Sequence, residues 1–300
     1  MKRVLVTGSN GLLGQKIIDL ALAQSDISLV ATSSGSNRHP VKVGYTYQEL
    51  DVCDADALSA AILKHQPQAI IHTAAMTNVD ACESNQEACE KLNVTAVASL
   101  ATLCQEFNIQ LIHLSTDFIF DGADGPYTED ATPNPLSFYG QSKWKAEQAI
   151  AVSGCTYAIL RTIIVYGVAA AMSRSNIVLW AKNALEKGET ISVVNDQWRM
   201  PTLAEDLAAA CLAAVQKEAQ GVFNVSGKDL MNMVELVQQV ADFWHLDKTL
   251  IRPITSASLN QAAKRPPKTG FVLAKAIAQL NYQPHSFVQG LALVDAQLKA

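Results

Sequence analysis

The chain has 300 residues, 49% of them hydrophobic and 17% charged, which excludes a disordered chain and predicts a folded protein with a large core. Its net charge of −5 excludes a broad basic surface for nucleic acid or anionic lipid. The six cysteines have no CxxC pair and no ligand-like spacing, which predicts reduced thiols in a cytoplasmic protein without a metal site.

No segment of the chain is typical of a membrane protein. The chain begins Met1-Lys2-Arg3 and enters an apolar strand at once, which leaves no room for a signal peptide. The longest apolar stretch, residues 157–172, contains Arg161 and is too short to span a bilayer. We therefore expect a soluble protein with no membrane partner.

Short β-rich runs alternate with helical patterns through the first half of the chain. The predicted strands cover residues 3–6, 29–32, 50–52, 69–75, 111–120 and 158–165, and the predicted helices cover 12–22, 57–63, 86–107 and a segment from about 137. Because the strands are continuously apolar, we predict an α/β fold with a doubly wound parallel (Rossmann) sheet.

Beyond Gly167 the elements become shorter and less regular. They are a helix at 175–187, a strand at 191–194, an Ala-rich helix at 203–215, a strand at 222–225, a helix at 233–244 and two short terminal helices. We predict an NAD(P)-binding Rossmann domain at 1–167, with about 199–227 returning to it, and a smaller C-terminal substrate lobe at 168–300. Such a lobe would cover the carboxyl ends of the strands, where open α/β sheets bind ligands.

The turn between the first strand and the first helix is rich in glycine. Gly8 permits a tight turn, Gly11 lets a pyrophosphate approach the backbone, and Gly14 lets the helix pack closely on the strand. The strand before it and the helix after it favour a dinucleotide site over an ordinary βα turn. The predicted cofactor residues here are Gly8, Asn10, Gly11, Leu12, Leu13 and Gly14.

The end of the second strand bears on which dinucleotide binds. An NAD enzyme usually carries an acid there, whereas residues 32–38 contain hydroxyl side chains and Arg38 but no acid. Ser33 and Arg38 suit a 2′-phosphate, so we predict NADP as the cofactor, with NAD as the alternative. A solvated loop cation is the other interpretation of Arg38.

Tyr139 and Lys143 stand four residues apart at the start of a predicted helix, so both project from one face. A neighbouring ammonium favours the phenolate and makes a phenol a more effective acid–base group near neutral pH. The preceding strand ends in Ser115-Thr116, and a hydroxyl there could complete a Thr/Tyr/Lys triad. Ser115 and Thr116 point to opposite faces of a strand, and spacing alone does not choose between them.

The GxxGxxG turn and the YxxxK pair together resemble the extended branch of the short-chain dehydrogenase/reductases. That resemblance implies that Asp51 and Val52 contact adenine. It also implies that Ala74, Ala75 and Thr77 lie beside the ribose and nicotinamide, together with Tyr139 and Lys143. It selects Thr116 rather than Ser115 as the third catalytic residue.

Longer motifs resemble the dTDP-4-dehydrorhamnose reductases in particular. They are Ser115–Gly122, Tyr127–Asp130, Pro133–Lys143, Arg161-Thr162, Val165–Gly167, Asn176, Asp196-Gln197, Pro201-Thr202, Asp206–Ala208 and Arg265-Pro266. The resemblance implies reduction of the C4 ketone of a 6-deoxy nucleotide sugar, the last step toward dTDP-L-rhamnose. We therefore expect a nucleotide-sugar substrate, and a homodimer is the assembly we consider beside a monomer.

Three positions depart from that family's pattern where it often recognises substrate. Phe118 replaces a tyrosine, Ile164 replaces a common tryptophan, and Trp198-Arg199 replaces an aromatic residue followed by glycine. Arg199 could clamp a phosphate or pair with a surface carboxylate. The expected substrate residues are Thr116, Asp117, Phe118, Asn176 and Arg199.

Two other readings stay open at this point. One is another extended short-chain enzyme, an epimerase or a dehydratase, although Thr116-Asp117-Phe118 has only the first acid of a dehydratase's Asp-Glu pair. The other is a non-catalytic NADP-binding protein like the regulatory subunit of methionine adenosyltransferase. Loss of Tyr139 or Lys143 would favour that subunit, and both residues are present.

Overall fold

The computed structural model describes residues 1–171 and 175–299. The strands are β1 (Lys2–Thr7), β2 (Ile27–Ser33), β3 (Thr46–Glu49), β4 (Ala69–His72), β5 (Gln110–Thr116), β6 (Tyr157–Thr162), β7 (Val165–Tyr166), β8 (Ile191–Val194), β9 (Trp198–Arg199), β10 (Thr202–Leu203), β11 (Gly221–Asn224), β12 (Met231–Asn232) and β13 (Ile251–Ile254). The α-helices are α1 (Leu12–Leu22), α2 (Ala55–His65), α3 (Val79–Ser84), α4 (Gln86–Glu90), α5 (Ala96–Glu106), α6 (Phe138–Val152), α7 (Ile177–Glu186), α8 (Ala204–Gln216), α9 (Met233–Phe243), α10 (Ala274–Leu280) and α11 (Phe287–Lys299).

Seven strands form one parallel sheet in the order β11-β6-β5-β4-β1-β2-β3. All four residues of β4 are buried, as expected for a strand covered on both faces by helices. The prediction of a doubly wound parallel sheet is confirmed. The strand order reverses between β1 and β4, so the connections that follow these two strands lead away from each other and leave a crevice at that edge.

Several predicted elements have other bounds in the structure; the strand predicted at 69–75, for example, ends at His72, and the one predicted at 158–165 is interrupted after Thr162. The third strand is Thr46–Glu49 rather than 50–52, because this edge strand pairs only with β2 and is not continuously apolar. The predicted helix at 86–107 is divided into α4 and α5 by a π-helical turn at Lys91–Thr95. The predicted strand at 111–120 ends at Thr116, where a 3₁₀ turn at Asp117–Ile119 begins.

The second half of the chain adds three two-stranded ribbons, β7 with β10, β9 with β12 and β8 with β13. A separate cluster of buried side chains forms around α7, α9 and α11, and its members include Val178, Val237 and Leu291. β11 returns to the large sheet beside β6. The division into a Rossmann domain and a lobe at residue 167 stays a prediction, and part of the lobe (172–174 and 300) lies outside the described residues.

Helix ends around the crevice are set by local capping. Ser137 accepts a hydrogen bond from the Gly140 amide and so begins α6. Asn176 begins α7 in the same way, by accepting from the Leu179 amide. Within residues 1–171 and 175–299, no helix combines the length and apolar character that crossing a membrane requires. Met172, at the end of the apolar stretch 157–172, lies outside that part.

Candidate active site

Two adjoining crevices of about 420 and 630 Å³ lie at the carboxyl ends of β1 and β4. They share Asn10, Gly11, Thr73 and Ala75 in their walls, so together they form one elongated groove. Its position is the point where the strand order reverses, which is where doubly wound sheets bind nucleotides.

The smaller crevice brings together the residues expected near adenine and the pyrophosphate. Its walls include Gly8, Asn10, Gly11, Ser33, Arg38, Asp51, Val52, Ala74 and Ala75. Gly8 has a φ of +68°, and a Cβ there would lie 2.7 Å from the Ala74 amide nitrogen. A side chain at Gly8 would therefore collide with the segment that follows β4. α1 begins at Gly11 without a side-chain cap, which leaves its first amide N–H groups to face an anion.

The loop after β2 is held by Asn10. The Asn10 side chain accepts a hydrogen bond from the Arg38 amide at 2.8 Å and donates to the Ser36 carbonyl at 2.9 Å. The Arg38 side chain is exposed and has no carboxylate partner in the described part of the chain. Because its backbone is anchored while its guanidinium stays unpaired, Arg38 can receive an anion at the rim of the crevice.

The larger crevice contains the residues expected beside the nicotinamide. Leu12, Leu13, Gly14, Thr77, Tyr139 and Lys143 line it, as do Thr116, Asp117, Phe118 and Asn176. α6 carries Tyr139 and Lys143 on one face. It approaches the 3₁₀ turn after β5 so closely that a Cβ at Gly140 would collide with the Phe118 carbonyl oxygen. Glycine at position 140 therefore allows Tyr139 to reach the end of β5.

The two hydroxyl residues at the end of β5 have different partners. Ser115 donates to a carboxylate oxygen of Glu147 at 2.5 Å, and Glu147 also forms a buried ion pair with Arg161 at 2.7 Å. Thr116 instead hydrogen-bonds the Tyr139 hydroxyl. The structure thus brings Thr116, not Ser115, to the phenol, a choice that sequence spacing alone left open.

Burial controls the protonation of the catalytic candidates. Burial raises the pKa of Tyr139, so the phenol is protonated at neutral pH. Burial lowers the pKa of Lys143 to about 8, partly opposed by the carboxylate of Glu147. The Lys143 Nζ lies 3.1 Å from Nε2 of His113, another fully buried side chain.

Arg199 does not line the groove, and this corrects the expectation that it clamps a substrate phosphate. Its side chain is only 2% exposed and donates to the carbonyls of Trp198 and Pro266, each at 2.8 Å. Its Nε lies 3.7 Å from a carboxylate oxygen of Asp117, which is also 2% exposed. Arg199 does pair with a carboxylate, but that carboxylate is buried and is not the surface group that the alternative interpretation expected.

Both carboxylate oxygens of Asp117 therefore have hydrogen-bond partners inside the protein. It accepts hydrogen bonds from the hydroxyls of Thr116, at 3.1 Å, and Thr269, at 2.5 Å. Burial raises the pKa of Asp117, and the Arg199 charge opposes that rise. Asp117 and Arg199 tie the end of β5 to the loop at residues 263–271, next to the candidate catalytic groups.

Two further expected substrate residues line the larger crevice in different ways. Phe118 packs edge-to-face on the Tyr139 ring, with the ring centroids 5.8 Å apart. The Asn176 side chain caps α7 and donates to the Gly167 carbonyl at 2.8 Å, so its polar atoms are already engaged. Ile164 adds apolar surface to the same wall, although its φ of +32° is unusual for a β-branched residue.

Sequence patterns did not single out Asn93, a fully buried residue in the π-helical turn. Its side chain accepts from the Met76 amide at 2.8 Å and donates to the Met76 carbonyl at 3.0 Å. It also donates to Ser142 of α6 at 3.1 Å. Asn93 thus joins the loop of Ala75 and Thr77 to the helix of Tyr139. The available signal was a polar residue inside an apolar helical pattern, and π-helical turns often occur at functional sites.

A dinucleotide fits the residues of this groove. The absence of a side chain at Gly8 lets the turn pack against Thr73 and Ala74, and the uncapped first amide groups of α1 are free to bind a phosphate at this turn. Tyr139 and Lys143 line the larger crevice, beside Thr116 at the end of β5.

Comparison with known proteins identifies the family. Residues 1–299 match the model of the family described as RmlD substrate binding domain. Subunit beta of methionine adenosyltransferase 2 from Rattus norvegicus is 30% identical over 275 residues, which are 88% of this chain and 78% of that protein. The "Probable low-salt glycan biosynthesis reductase Agl14" of Haloferax volcanii is 29% identical, over 97% of this chain and 96% of its own length.

Solved structures agree with this assignment. A dTDP-4-dehydrorhamnose reductase from Bacillus anthracis, solved in complex with NADP, has a TM-score of 0.84 and 25% identity, over 99% of this chain and all of the other. The dTDP-4-dehydrorhamnose reductase structure from Clostridium acetobutylicum has the same fold, with a TM-score of 0.87, 24% identity and coverage of 99% and 100% of the two chains. The chain belongs to the dTDP-4-dehydrorhamnose reductase family of extended short-chain dehydrogenase/reductases.

Proposed function

We propose that this protein is an NADPH-dependent reductase of the C4 ketone of a 6-deoxy nucleotide sugar, similar to dTDP-4-dehydrorhamnose. The observation that carries the proposal is the convergence of Thr116, Tyr139 and Lys143 at the end of the groove that begins at the glycine turn. A binding protein needs the glycine turn, but it has no need for a buried phenol and ammonium on adjacent helical turns.

The chain's own residues would manage the proton. The hydroxyls of Thr116 and Tyr139 are close enough to hydrogen-bond each other, so one ketone oxygen could lie within reach of both. The Thr116 hydroxyl would then turn from the Asp117 carboxylate to donate to that oxygen. Because burial keeps Tyr139 protonated, it is poised to give a proton to the oxygen of the ketone. Lys143 would hold the ribose hydroxyls and stabilise the phenolate that remains. When bound, the reduced cofactor supplies the hydride to the carbon.

The preference for NADP over NAD rests on the loop after β2. Ser33, Ser34 and Arg38 line the smaller crevice, and residues 32–38 contain no acid that would repel a 2′-phosphate. The NADP-bound reductase of Bacillus anthracis supports the same cofactor. Glu49 faces this loop from β3, but it accepts a hydrogen bond from the Gly35 amide at 3.0 Å.

The sugar would lie in the larger crevice, between the sheet edge and the predicted lobe at 168–300. Phe118, Val79, Ile164 and Ile177 give this part an apolar wall. Such a wall suits the methyl group of a 6-deoxy sugar better than a hydroxymethyl group, which would leave a buried hydroxyl without a partner.

The test is a turnover assay with NADPH and dTDP-4-dehydrorhamnose, in which the absorbance of the reduced cofactor is followed. We expect turnover by the natural protein and a loss of about 10²–10⁴-fold in the Tyr139→Phe variant, with cofactor binding retained. Turnover of a different 4-keto sugar alone would refute the substrate and spare the mechanism. Near-normal activity of Tyr139→Phe would refute the mechanism itself.

A second candidate is a regulatory subunit, favoured by the 30% identity to methionine adenosyltransferase 2 subunit beta. In that case NADPH would bind, no 4-keto sugar would be reduced, and the chain would copurify with a methionine adenosyltransferase.

An epimerase or dehydratase would convert a nucleotide sugar without net consumption of NADPH, so the same absorbance assay separates it from a reductase.

A further inference from the structure

Two buried histidines lie on neighbouring strands of the sheet, and one of them contacts Lys143 of α6. His72 of β4 is paired in register with His113 of β5, and both side chains are at most 1% exposed. Their rings stack with centroids 5.6 Å apart and planes 14° apart. The proposed chemistry of Thr116, Tyr139 and Lys143 makes no use of either histidine.

His113 is the hydrogen-bond partner that the described part of the chain offers to the Lys143 ammonium. Its Nε2 lies 3.1 Å from Nζ. The carboxylate of Glu147, one turn further along α6, is occupied by Arg161 and Ser115. An ammonium has three N–H groups, so the contact with His113 leaves two of them directed elsewhere.

We propose that His113 is a positioning residue, whose neutral ring accepts one N–H of Lys143 at Nε2 and thereby directs the other two toward the groove. The inference rests on the proposed function, because it assigns a purpose to the orientation of Lys143. A neutral imidazole that accepts at Nε2 must carry its proton at Nδ1. Nδ1 has no partner among the described residues, so this tautomer leaves a buried N–H group without an acceptor.

The electrostatic surroundings favour this protonation state. Burial and the nearby Lys143 charge hold the pKa of His113 well below its usual value, and the same two causes lower the pKa of His72 to about 3. The groups that face Lys143 are His113 from β5, His72 from β4, Cys89 from α4 and Glu147 from α6 itself. His113 therefore stays a neutral acceptor while Lys143 is charged.

The first test measures the titration of Lys143 directly, by NMR of protein labelled with ¹⁵N at the lysine side chains and free of cofactor and sugar. A Lys143→Met variant assigns the signal. We expect a midpoint near pH 8 in the natural protein and a midpoint about one to two pH units lower in His113→Leu, because the buried ammonium loses its acceptor. His113→Gln, which keeps an acceptor, should restore the midpoint. Equal midpoints in the natural protein and in folded His113→Leu would overturn the proposal.

The second test needs no variant and stays informative if His113→Leu does not fold. The ring ¹⁵N shifts of His113 report its tautomer, and we expect the proton at Nδ1. A proton found at Nε2 would overturn the proposal, because that nitrogen could then not accept from Lys143. Neither measurement depends on turnover, so failure of the reductase assay would refute the proposed function without deciding this inference. If the protein reduces a keto sugar, the alkaline limb of its kcat–pH profile should move to lower pH in His113→Leu and return to its natural position in His113→Gln.

Discussion

Replacing Arg199 by methionine should destabilise the protein strongly, and more at pH 8 than at pH 5. Arg199 and Asp117 are each 2% exposed, so the change leaves a buried carboxylate without its counter-charge. Removing one partner of such a pair typically costs about 3–5 kcal/mol. The carbonyls of Trp198 and Pro267 keep backbone donors, whereas the Pro266 carbonyl loses the guanidinium, and that loss adds to the cost.

The pH dependence follows from the protonation of Asp117. Burial already raises the pKa of Asp117 in the folded state, and loss of the Arg199 charge raises it further. A carboxyl group with a raised folded pKa destabilises the protein as the pH rises above its unfolded value, by at most about 1.4 kcal/mol per pH unit. The variant should therefore recover much of its deficit at pH 5, where Asp117 can take up a proton.

Urea denaturation at both pH values measures the free energy of unfolding. Lys145→Met is the matched control, because the Lys145–Glu90 pair is exposed and should cost less than about 1 kcal/mol. The double variant Asp117→Asn with Arg199→Met should regain stability at pH 8. A deficit below about 1 kcal/mol for Arg199→Met at pH 8, or an equal deficit at pH 5, would refute this reasoning.

Three other predictions address the groove. Arg38→Ala should raise the Kd for NADPH about tenfold and leave the Kd for NADH unchanged, as measured by cofactor fluorescence; an equal effect on both would contradict the role given to Arg38. Gly8→Val should abolish binding of either cofactor, because its Cβ would meet the Ala74 backbone at 2.7 Å; retained binding in a calorimetric titration would contradict the cradle at the turn. Asn93→Ala should lower kcat at least tenfold while the chain stays folded by circular dichroism, since the Met76 loop loses its two hydrogen bonds to the Asn93 side chain and with them its link to Ser142 of α6; an unchanged kcat would show that the loop holds its own position.

Much of the candidate site could be predicted from local sequence patterns. The glycine turn lies between a strand and a helix whose periodicities are strong, and the spacing of Tyr139 and Lys143 determines that they share a helix face. The parallel sheet followed from continuously apolar strands separated by helices. These features depend on neighbours within a few residues, so a single sequence contains the information that determines them.

Other features depended on contacts between distant segments. Ser115 and Thr116 both contact α6, Ser115 at Glu147 and Thr116 at Tyr139, and only the packing of β5 against that helix decides which of the two hydroxyls meets the phenol. Arg199 can be buried because the Pro266 carbonyl, 67 residues later in the chain, accepts one of its hydrogen bonds. The residues next to Arg199 in the sequence do not predict that contact. His113 meets Lys143 for the same reason, across 30 residues of chain. The amino-acid sequence by itself determined which residues could bind a dinucleotide and move a proton, whereas the tertiary structure decided which of their charges and hydroxyls face the groove, because only packing brings distant side chains within hydrogen-bonding distance.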